Sequence, residues 1–297
     1  QIFQPAGIDS TELLSSWSQI AGDASARRYY RLQSSHHSII VMDSSRDIDA
    51  AVEFTRVAEI LRLGDVRVPR IYSADCEAGH LLLEDFGDQM LKVQLSQRNG
   101  DLLFNQVLPI LQELALCDNQ NLKLYSAQLL ADELALFDEW FLQRHRQYFM
   151  TGEEREVWER LTSLLVESAL AQPQVTVHRD FHSCNLHILN DNEIGVIDFQ
   201  DAVVGPVTYD LASWVWDRYI HWPREQIVGW IEQARTALRP AFSTSISSEQ
   251  WLRYSDFMGL QRNLKIVGIF ARLHYRDGKA GYLEMIPQFS AYIRDVL

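Results

Sequence analysis

A short β-branched run, Val175-Thr176-Val177, leads directly into His178-Arg179-Asp180-Phe181-His182-Ser183-Cys184-Asn185, a segment of the form HxDxxxxN. Leu186–Leu189 and Ile194–Ile197 then bracket Asn190-Asp191-Asn192, a hairpin pattern, and Asp198-Phe199-Gln200 closes its second strand. A loop and a hairpin end are expected to bring Asp180, Asn185 and Asp198 to one point. The donors are all oxygens: the Asn185 carbonyl and the Asp198 carboxylate suit a hard cation such as Mg²⁺. Asp180 is then free to accept or orient a hydroxyl proton. Phosphoryl transfer needs both parts, a cation on the phosphate oxygens and an Asp on the attacking alcohol. HxDxxxxN alone arises by chance in on the order of one in a hundred chains of this length. The Asp-Phe pair at the correct downstream hairpin end makes the functional reading the better one.

The rest of the chain reads as α+β, with strands first and helices after. Tyr29–Leu32 and Ser38–Met42 form a hairpin pattern around the polar Gln33–His37. Asp47 to Leu63 has the apolar period of an amphipathic helix and stops at Gly64. Val68–Tyr72 and Leu81–Leu83 read as strands around a Glu77-Ala78-Gly79 turn. Beyond Asp88 the periodicity turns helical: Asp101–Leu116, Ala127–Met150 closing at Gly152, and Glu153–Ala171. Helical patterns resume near Tyr209, broken by Pro223 and the Pro240–Ser248 loop. At roughly 100–200 residues per domain, 297 residues suit one large domain or two lobes. The expected division is an N-lobe over 1–86 and a C-lobe over 87–297, with the break at Glu84–Asp88.

Charge narrows the partners. With 27 Lys+Arg against 40 Asp+Glu, the formal net charge is −13. Nucleic acid demands clustered cations that displace counterions, so DNA and RNA are excluded as principal partners. Cys76, Cys117 and Cys184 are odd in number and far apart, which supports reduced thiols rather than disulfides or a CxxC metal site. No apolar run approaches the ~18 residues needed to span a bilayer. Gln1-Ile2-Phe3-Gln4 lacks the basic-then-apolar pattern of a signal peptide. A cytoplasmic chain, off the membrane and with no implied protein partner, is the expectation. His178, His182 and His187 show neither HExxH nor HxHxDH spacing, so a zinc hydrolase is disfavoured.

The HRDxxxxN segment, the hairpin and Asp198-Phe199-Gln200 resemble the catalytic segment of kinase-like phosphotransferases, with Gln200 where a Gly is usual. Gly205-Pro206 and Tyr209-Asp210-Leu211 restart structure about a dozen residues after Asp198, leaving no room for a peptide-substrate platform. Ile197-Asp198-Phe199-Gln200-Asp201, Gly205-Pro206 and Tyr209-Asp210-Leu211-Ala212 are similar to the aminoglycoside phosphotransferase and choline kinase group. That resemblance implies a two-lobed kinase-like fold, ATP as donor with Mg²⁺, and a small hydroxylated acceptor. It makes Asp180 the catalytic and acceptor-contacting residue, Asn185 and Asp198 the metal ligands, and Asp210 a structural residue. Leu81-Leu82-Leu83-Glu84-Asp85-Phe86-Gly87 resembles the hinge, implying adenine contacts from the backbone at Glu84 and Phe86. Gly22-Asp23-Ala24-Ser25-Ala26-Arg27-Arg28 takes the place of the phosphate-covering loop, without GxGxxG, so Ser25 and backbone amides would cover the phosphates.

Kinases place a Lys on the third strand, where this chain has Met42. Arg27 or Arg28 is the local substitute, and strand alternation allows only one to face the phosphates; Arg28 is favoured. Gly22–Ser25, Arg28-Tyr29-Tyr30, Val41-Met42-Asp43 and Gly259-Leu260-Gln261-Arg262-Asn263-Leu264-Lys265 narrow the resemblance, as does Gly268 to Lys279. Together they resemble the bacterial cell-wall-recycling anomeric kinases, which phosphorylate N-acetylmuramate and N-acetylglucosamine at the C1 hydroxyl. In that branch the missing Lys is expected. Arg262, Lys265 and Arg272 become candidates for holding a lactyl carboxylate or closing the sugar site. Trp214, Trp216, Tyr219 and Trp222 at helical spacing are read as core rather than as a sugar platform. The alternatives are an aminoglycoside- or choline-type kinase and, from another class, a nucleotide-binding pseudokinase suggested by Met42.

Overall fold

The computed structural model describes residues 17–20, 27–33, 37–189 and 193–296. Ser25 and the rest of the phosphate-covering loop at 22–26 lie outside the described residues, as do 34–36 and the hairpin turn at 190–192. In chain order the strands are β1 (Trp17–Ile20), β2 (Arg28–Gln33), β3 (Ser38–Asp43), β4 (Ile71–Asp75), β5 (His80–Glu84), β6 (Lys123–Leu124), β7 (Gln174–Val177), β8 (Leu186–Ile188), β9 (Ile194–Val196) and β10 (Val203–Pro206). The helices are α1 (Ile48–Leu63), α2 (Gly100–Leu116), α3 (Ala127–Leu136), α4 (Gly152–Leu170), α5 (Tyr209–Val215), α6 (Arg224–Ala237), α7 (Ser248–Tyr275) and α8 (Tyr282–Val296). The chain is α+β, with a β-rich first part and a mostly helical remainder. None of the described helices is long and apolar enough to cross a membrane.

Two compact units divide the residues. One, the sheet unit, is Gln1–Val93 with Cys184–Asp201; the other, the helical unit, is Gln94–Ser183 with Ala202–Leu297. Within the sheet unit five strands run in the order β1-β2-β3-β5-β4, each antiparallel to its neighbours. The β2–β3 hairpin expected from the alternation is present, with Tyr29 opposite Met42 and Leu32 opposite Ile39. Ile39, Met42, Leu81, Leu82 and Leu83 are buried, which is what an apolar run in central strands predicts. Helix α1 begins where Asp47 accepts a hydrogen bond from the Ala50 N–H at 3.3 Å. At its other end Gly64 keeps φ at −93°, and the left-handed residue is Asp65, at φ 64°.

The β8–β9 hairpin belongs to the sheet unit although it lies about a hundred residues downstream of β5. The Val196 N–H donates to Arg67 O at 2.7 Å and the Ile188 N–H to Gln89 O at 2.8 Å, so backbone bonds on both strands tie it there.

The helical unit is organised around α7, which packs against α3, α4, α5, α6, α8 and the Phe137–His145 segment. Trp214, Trp216 and Trp222 are fully buried, as the core reading requires, together with Trp230 and Trp251, but Tyr219, read as core with them, is 45% exposed. Gly259 lets α7 approach Trp216: a Cβ there would stand 2.3 Å from the indole ring.

The expected single helix Ala127–Met150 is two pieces. It is α-helical to Leu136, widens into π-helical turns over Phe137–His145 and ends there. Gly152 starts the next helix instead of stopping the last. Thr151 accepts from the Glu154 N–H at 3.3 Å while Glu154 accepts from the Thr151 N–H at 2.9 Å, a reciprocal cap that satisfies two amides at a helix start. The Thr-x-x-Glu spacing was in the sequence and outweighs the glycine as a boundary signal.

Candidate active site

In the sheet unit the hairpin ladder pairs Leu186 with Val196, and the Ile197 N–H donates to Asn185 O at 3.0 Å. Asn185 therefore lies across from Ile197, beside Asp198, as the sequence predicted. Asp198 holds φ at 63°, a left-handed conformation that costs a residue with a side chain about 1 kcal/mol or more. Two neighbours stabilise it. The Phe199 ring is buried 4.7 Å from Phe54 of α1. The Gln200 amide donates to Asp198 Oδ1 at 3.0 Å, and its second acceptor is Asp201 at 3.4 Å. Gln200, at the position where the motif family has Gly, thus orients the carboxylate; nothing in the sequence pattern signalled that.

Register decides between the two arginines. Arg27 Nη2 stands 3.7 Å from Asp198 Oδ1. Tyr29, two residues on and so on the same face, has its hydroxyl pKa raised by burial, with Arg27 and Asp198 both acting on it. Arg28 lies opposite Asp43 in the ladder and acts on that carboxylate instead. The cation beside Asp198 is Arg27. Met42 is fully buried, so the third strand brings no cation to the sheet interior.

Asn185 and Asp198 fit Mg²⁺ in donor chemistry. Both offer oxygen, and the Asp198 carboxylate keeps 45% of its surface exposed even with Arg27 beside it. Among the described residues no group of three or more His, Cys, Asp or Glu side chains could hold a metal. An ion here would complete its shell with phosphate oxygens and water, as Mg²⁺ commonly does.

The hinge segment ends β5. The Glu84 N–H is committed to Arg70 O at 2.8 Å. Burial would raise the Glu84 carboxyl pKa, but hydrogen bonds from Arg67 at 2.6 and 2.8 Å and from the Arg70 N–H hold it below the ordinary value. The Phe86 ring lies under the Arg67 guanidinium, 4.8 Å from its carbon. Gly195 of β9 makes room for it, since a Cβ there would stand 2.3 Å from the ring. The Phe86 ring is therefore packed inside the sheet unit. Arg31 grips Asp85 with Nε at 2.6 Å and Nη2 at 2.9 Å, fixing the next residue of the hinge.

In the helical unit Asp210 clamps the loop after β7. Its carboxylate accepts the His178 N–H at 2.7 Å and the Arg179 N–H at 3.0 Å, and burial pushes its pKa up to about 6. Arg179 sits at φ 76°, and the turn continues with the Asp180 N–H on His178 Nδ1 at 3.2 Å and the His182 N–H on Asp180 O at 2.9 Å. Burial alone would raise the Asp180 pKa. Lys265, His182, His178 and Arg179 together bring it below the ordinary carboxylate value, so Asp180 is ionised at neutral pH.

Lys265 has internal partners: Nζ lies 2.9 Å from Glu133 Oε1 and 3.0 Å from the Tyr209 hydroxyl. Glu133 also takes Arg179 at 2.7 Å and the Tyr125 hydroxyl. Burial would lower the Lys265 pKa, but Tyr209 and Glu133 keep it raised and the ammonium charged. The sugar-binding role expected of Lys265 thus gives way to holding Glu133 and Arg179 and placing positive charge near Asp180. Glu133, buried between the core leucines Leu130 and Leu134 of α3, is a site residue that sequence reasoning missed. An acid inside an apolar helical stripe was the available signal. Arg262, one helical turn before Lys265, is 4% exposed.

Residues 16–243 match the family model described as "Phosphotransferase enzyme family". The chain belongs to that family. As a phosphotransferase it has close curated relatives. The N-acetylmuramate/N-acetylglucosamine kinase of Pseudomonas putida is 40% identical over 282 residues, 93% of this chain and 82% of the relative. The protein of the same name from Neisseria meningitidis serogroup B is 35% identical over 286 residues, 93% and 84% of the two chains. Solved structures share the fold at low identity. Plasmodium vivax ethanolamine kinase superposes with a TM-score of 0.69 at 12% identity, over 99% of this chain and 88% of that one. Choline kinase of Streptococcus pneumoniae gives 0.65 at 15%, over 95% and 93%. The phosphotransferase therefore has the kinase-like fold that its motifs imply.

Proposed function

We propose that the chain transfers the γ-phosphoryl group of ATP to the C1 hydroxyl of N-acetylmuramate or N-acetylglucosamine, in the recycling of cell-wall sugars. The curated relatives carry that name over nearly the whole chain. The observation in the molecule that best supports the chemistry is Asp180, kept ionised by the Lys265 and Arg179 cations and two neighbouring histidines on a loop clamped by Asp210.

Asp180 accepts the hydrogen bond of the acceptor hydroxyl and so aims its lone pair. The oxygen bonds to the γ-phosphorus as the bond to the ADP oxygen breaks, and the hydroxyl proton passes to Asp180. A carboxylate of low pKa is a weak base, so this proton moves late, as a loose phosphoryl transition state allows. Asn185 and Asp198 would hold Mg²⁺, which when bound neutralises charge on the phosphate oxygens. The Glu84 carbonyl and the Phe86 N–H receive adenine, and Arg27 supplies the cation that Met42 does not. Use of ATP on small sugars fits a cytoplasmic enzyme working without a protein partner.

The test is ADP release with N-acetylmuramate, N-acetylglucosamine, kanamycin and choline, with ³¹P NMR locating the new phosphate. A sugar 1-phosphate is the expected product. Turnover of kanamycin or choline alone would overturn the sugar assignment, and silence on all four would overturn the enzyme reading. Asp180→Asn is expected to lose about 10²-fold or more in kcat.

A further inference from the structure

Two buried side chains of the helical unit, Arg262 and His182, carry polar atoms without partners that the chemistry above leaves unused. Arg262 projects from α7 one turn before Lys265, the lysine acting on Asp180, so the two share a face of the helix. Although Arg262 is only 4% exposed, its Nη1 has no hydrogen-bond partner, and no carboxylate among the described residues pairs with it. Its electrostatic neighbours are His182 and Tyr292. His182 is itself buried; its Nε2 faces Arg218 Nη2 at 3.4 Å and its Nδ1 has no partner. A guanidinium can only donate, so Nε2 is the acceptor and Nδ1 carries an idle N–H. The Asp217 carboxylate accepts the Ser183 and Tyr219 N–H groups, each at 2.8 Å. Tyr292 spends its hydroxyl on the carbonyls of Asp217 and Ile220.

Burying a guanidinium without an ion pair is costly, and so is burying an idle imidazole N–H. Both costs fall if an anion enters from solution. His182 is close to the reacting centre: two peptide steps separate it from Asp180, about 7 Å at most between Cα atoms, and the His182 N–H closes that turn onto Asp180 O. This is the scale of one sugar ring. A ligand whose hydroxyl rests on Asp180 would carry its anionic group on the same ring, not at the end of a long chain.

We propose that Arg262, with the His182 Nδ1–H beside it, receives a carboxylate borne by the acceptor sugar and is the residue that distinguishes N-acetylmuramate from N-acetylglucosamine. N-acetylmuramate carries a lactyl carboxylate that N-acetylglucosamine lacks. The inference rests on the sugar-kinase reading and names the group that reads the substrate within it. A planar guanidinium suits a carboxylate because two parallel N–H donors match its two oxygens.

Steady-state kinetics on the unaltered enzyme with N-acetylmuramate, its uncharged methyl ester and N-acetylglucosamine test this without any variant that has to fold. The acid is expected to have a KM about tenfold to a hundredfold below that of the ester. Arg262→Gln should raise KM for the acid by a similar factor and bring acid and ester together. Arg262→Lys should restore part of the preference. An ester that binds as well as the acid overturns the proposal. So does an Arg262→Gln variant that loses kcat equally on both sugars, which would put the guanidinium on the transferred phosphoryl group. An unaltered enzyme that phosphorylates neither sugar is a separate outcome, since it removes the sugar-kinase reading and this proposal with it.

Discussion

Gln200 donates a 3.0 Å hydrogen bond to Oδ1 of Asp198 from two residues further along the same strand end. A left-handed aspartate at φ 63° has few ways to hold its carboxylate still, and this amide is one of them. The bond makes Gln200→Gly informative, since it returns the position to the residue usual in kinases while freeing the carboxylate. A hydrogen bond to a charged group contributes about 1.5–3 kcal/mol. The variant should need about tenfold more Mg²⁺ for half-maximal rate, with its melting temperature little altered. An unchanged Mg²⁺ titration would show that Asp198 is positioned by its backbone alone.

Arg27 is 3.7 Å from the same oxygen. If it substitutes for the missing lysine of the third strand, Arg27→Ala raises KM for ATP several-fold, and Arg28→Ala, beside Asp43, leaves it alone. The reverse pattern would return the role to Arg28. The pair is best read by nucleotide titration at saturating sugar.

Much of the site was legible before any coordinates, and the limits of that legibility are physical. Asp180, Asn185 and Asp198 stand out because the chemistry demands those side chains at that spacing after a strand, and local hairpin pairing alone places Asn185 beside Asp198. Roles that depend on distant chain were not readable. Strand alternation showed that only one of Arg27 and Arg28 could face inward, but the choice required the register of β2 against β3. Lys265 on α7 looked like a free cation until Glu133 of α3 and Tyr209 of α5 arrived from elsewhere in the chain. The π-helical turns at Phe137–His145 keep the apolar spacing of an α-helix and leave no mark in the sequence.

The acidity of Asp210 gives a pH signature. Burial puts its carboxyl at about 6 in the folded chain, against ~3.9 when unfolded. The folded state thus binds an extra proton between these values, so the stabilisation is fully present below about pH 4 and is lost as pH rises through 6. Taken alone, this group should cost about 3 kcal/mol between those limits. Melting curves from pH 4.5 to 7.5 for the wild type and Asp210→Asn isolate it. The wild type should lose on the order of 5 °C relative to the variant as pH rises. Parallel curves would mean that Asp210 does not titrate there.

Lys265 and Arg262 lie one turn apart on α7 and should fail differently. Lys265→Met leaves Glu133 with Arg179 but removes the cation that acts most strongly on Asp180. Removing one partner of a buried pair costs about 3–5 kcal/mol. The variant should therefore melt lower and lose kcat on both sugars, and the acid limb of its kcat profile should move to higher pH as the Asp180 pKa rises. KM for either sugar should hardly move. A selective rise in the KM for N-acetylmuramate would make Lys265 a substrate ligand after all.

Gly259 connects packing to function. A Cβ at this position would stand 2.3 Å from the Trp216 ring, too close for either group to stay in place. Trp216 is fully buried, so α7 must shift or the indole must leave its rotamer, at about 1–3 kcal/mol. Arg262 lies three residues on and Lys265 six, so a shift of the helix reaches both. Gly259→Ala should lower the urea midpoint and weaken N-acetylmuramate binding more than ATP binding, because the hinge and Asp198 belong to the sheet unit. If KM for ATP rises as much as KM for the sugar, the effect is general loosening and α7 is not a dedicated carrier of acceptor-binding residues.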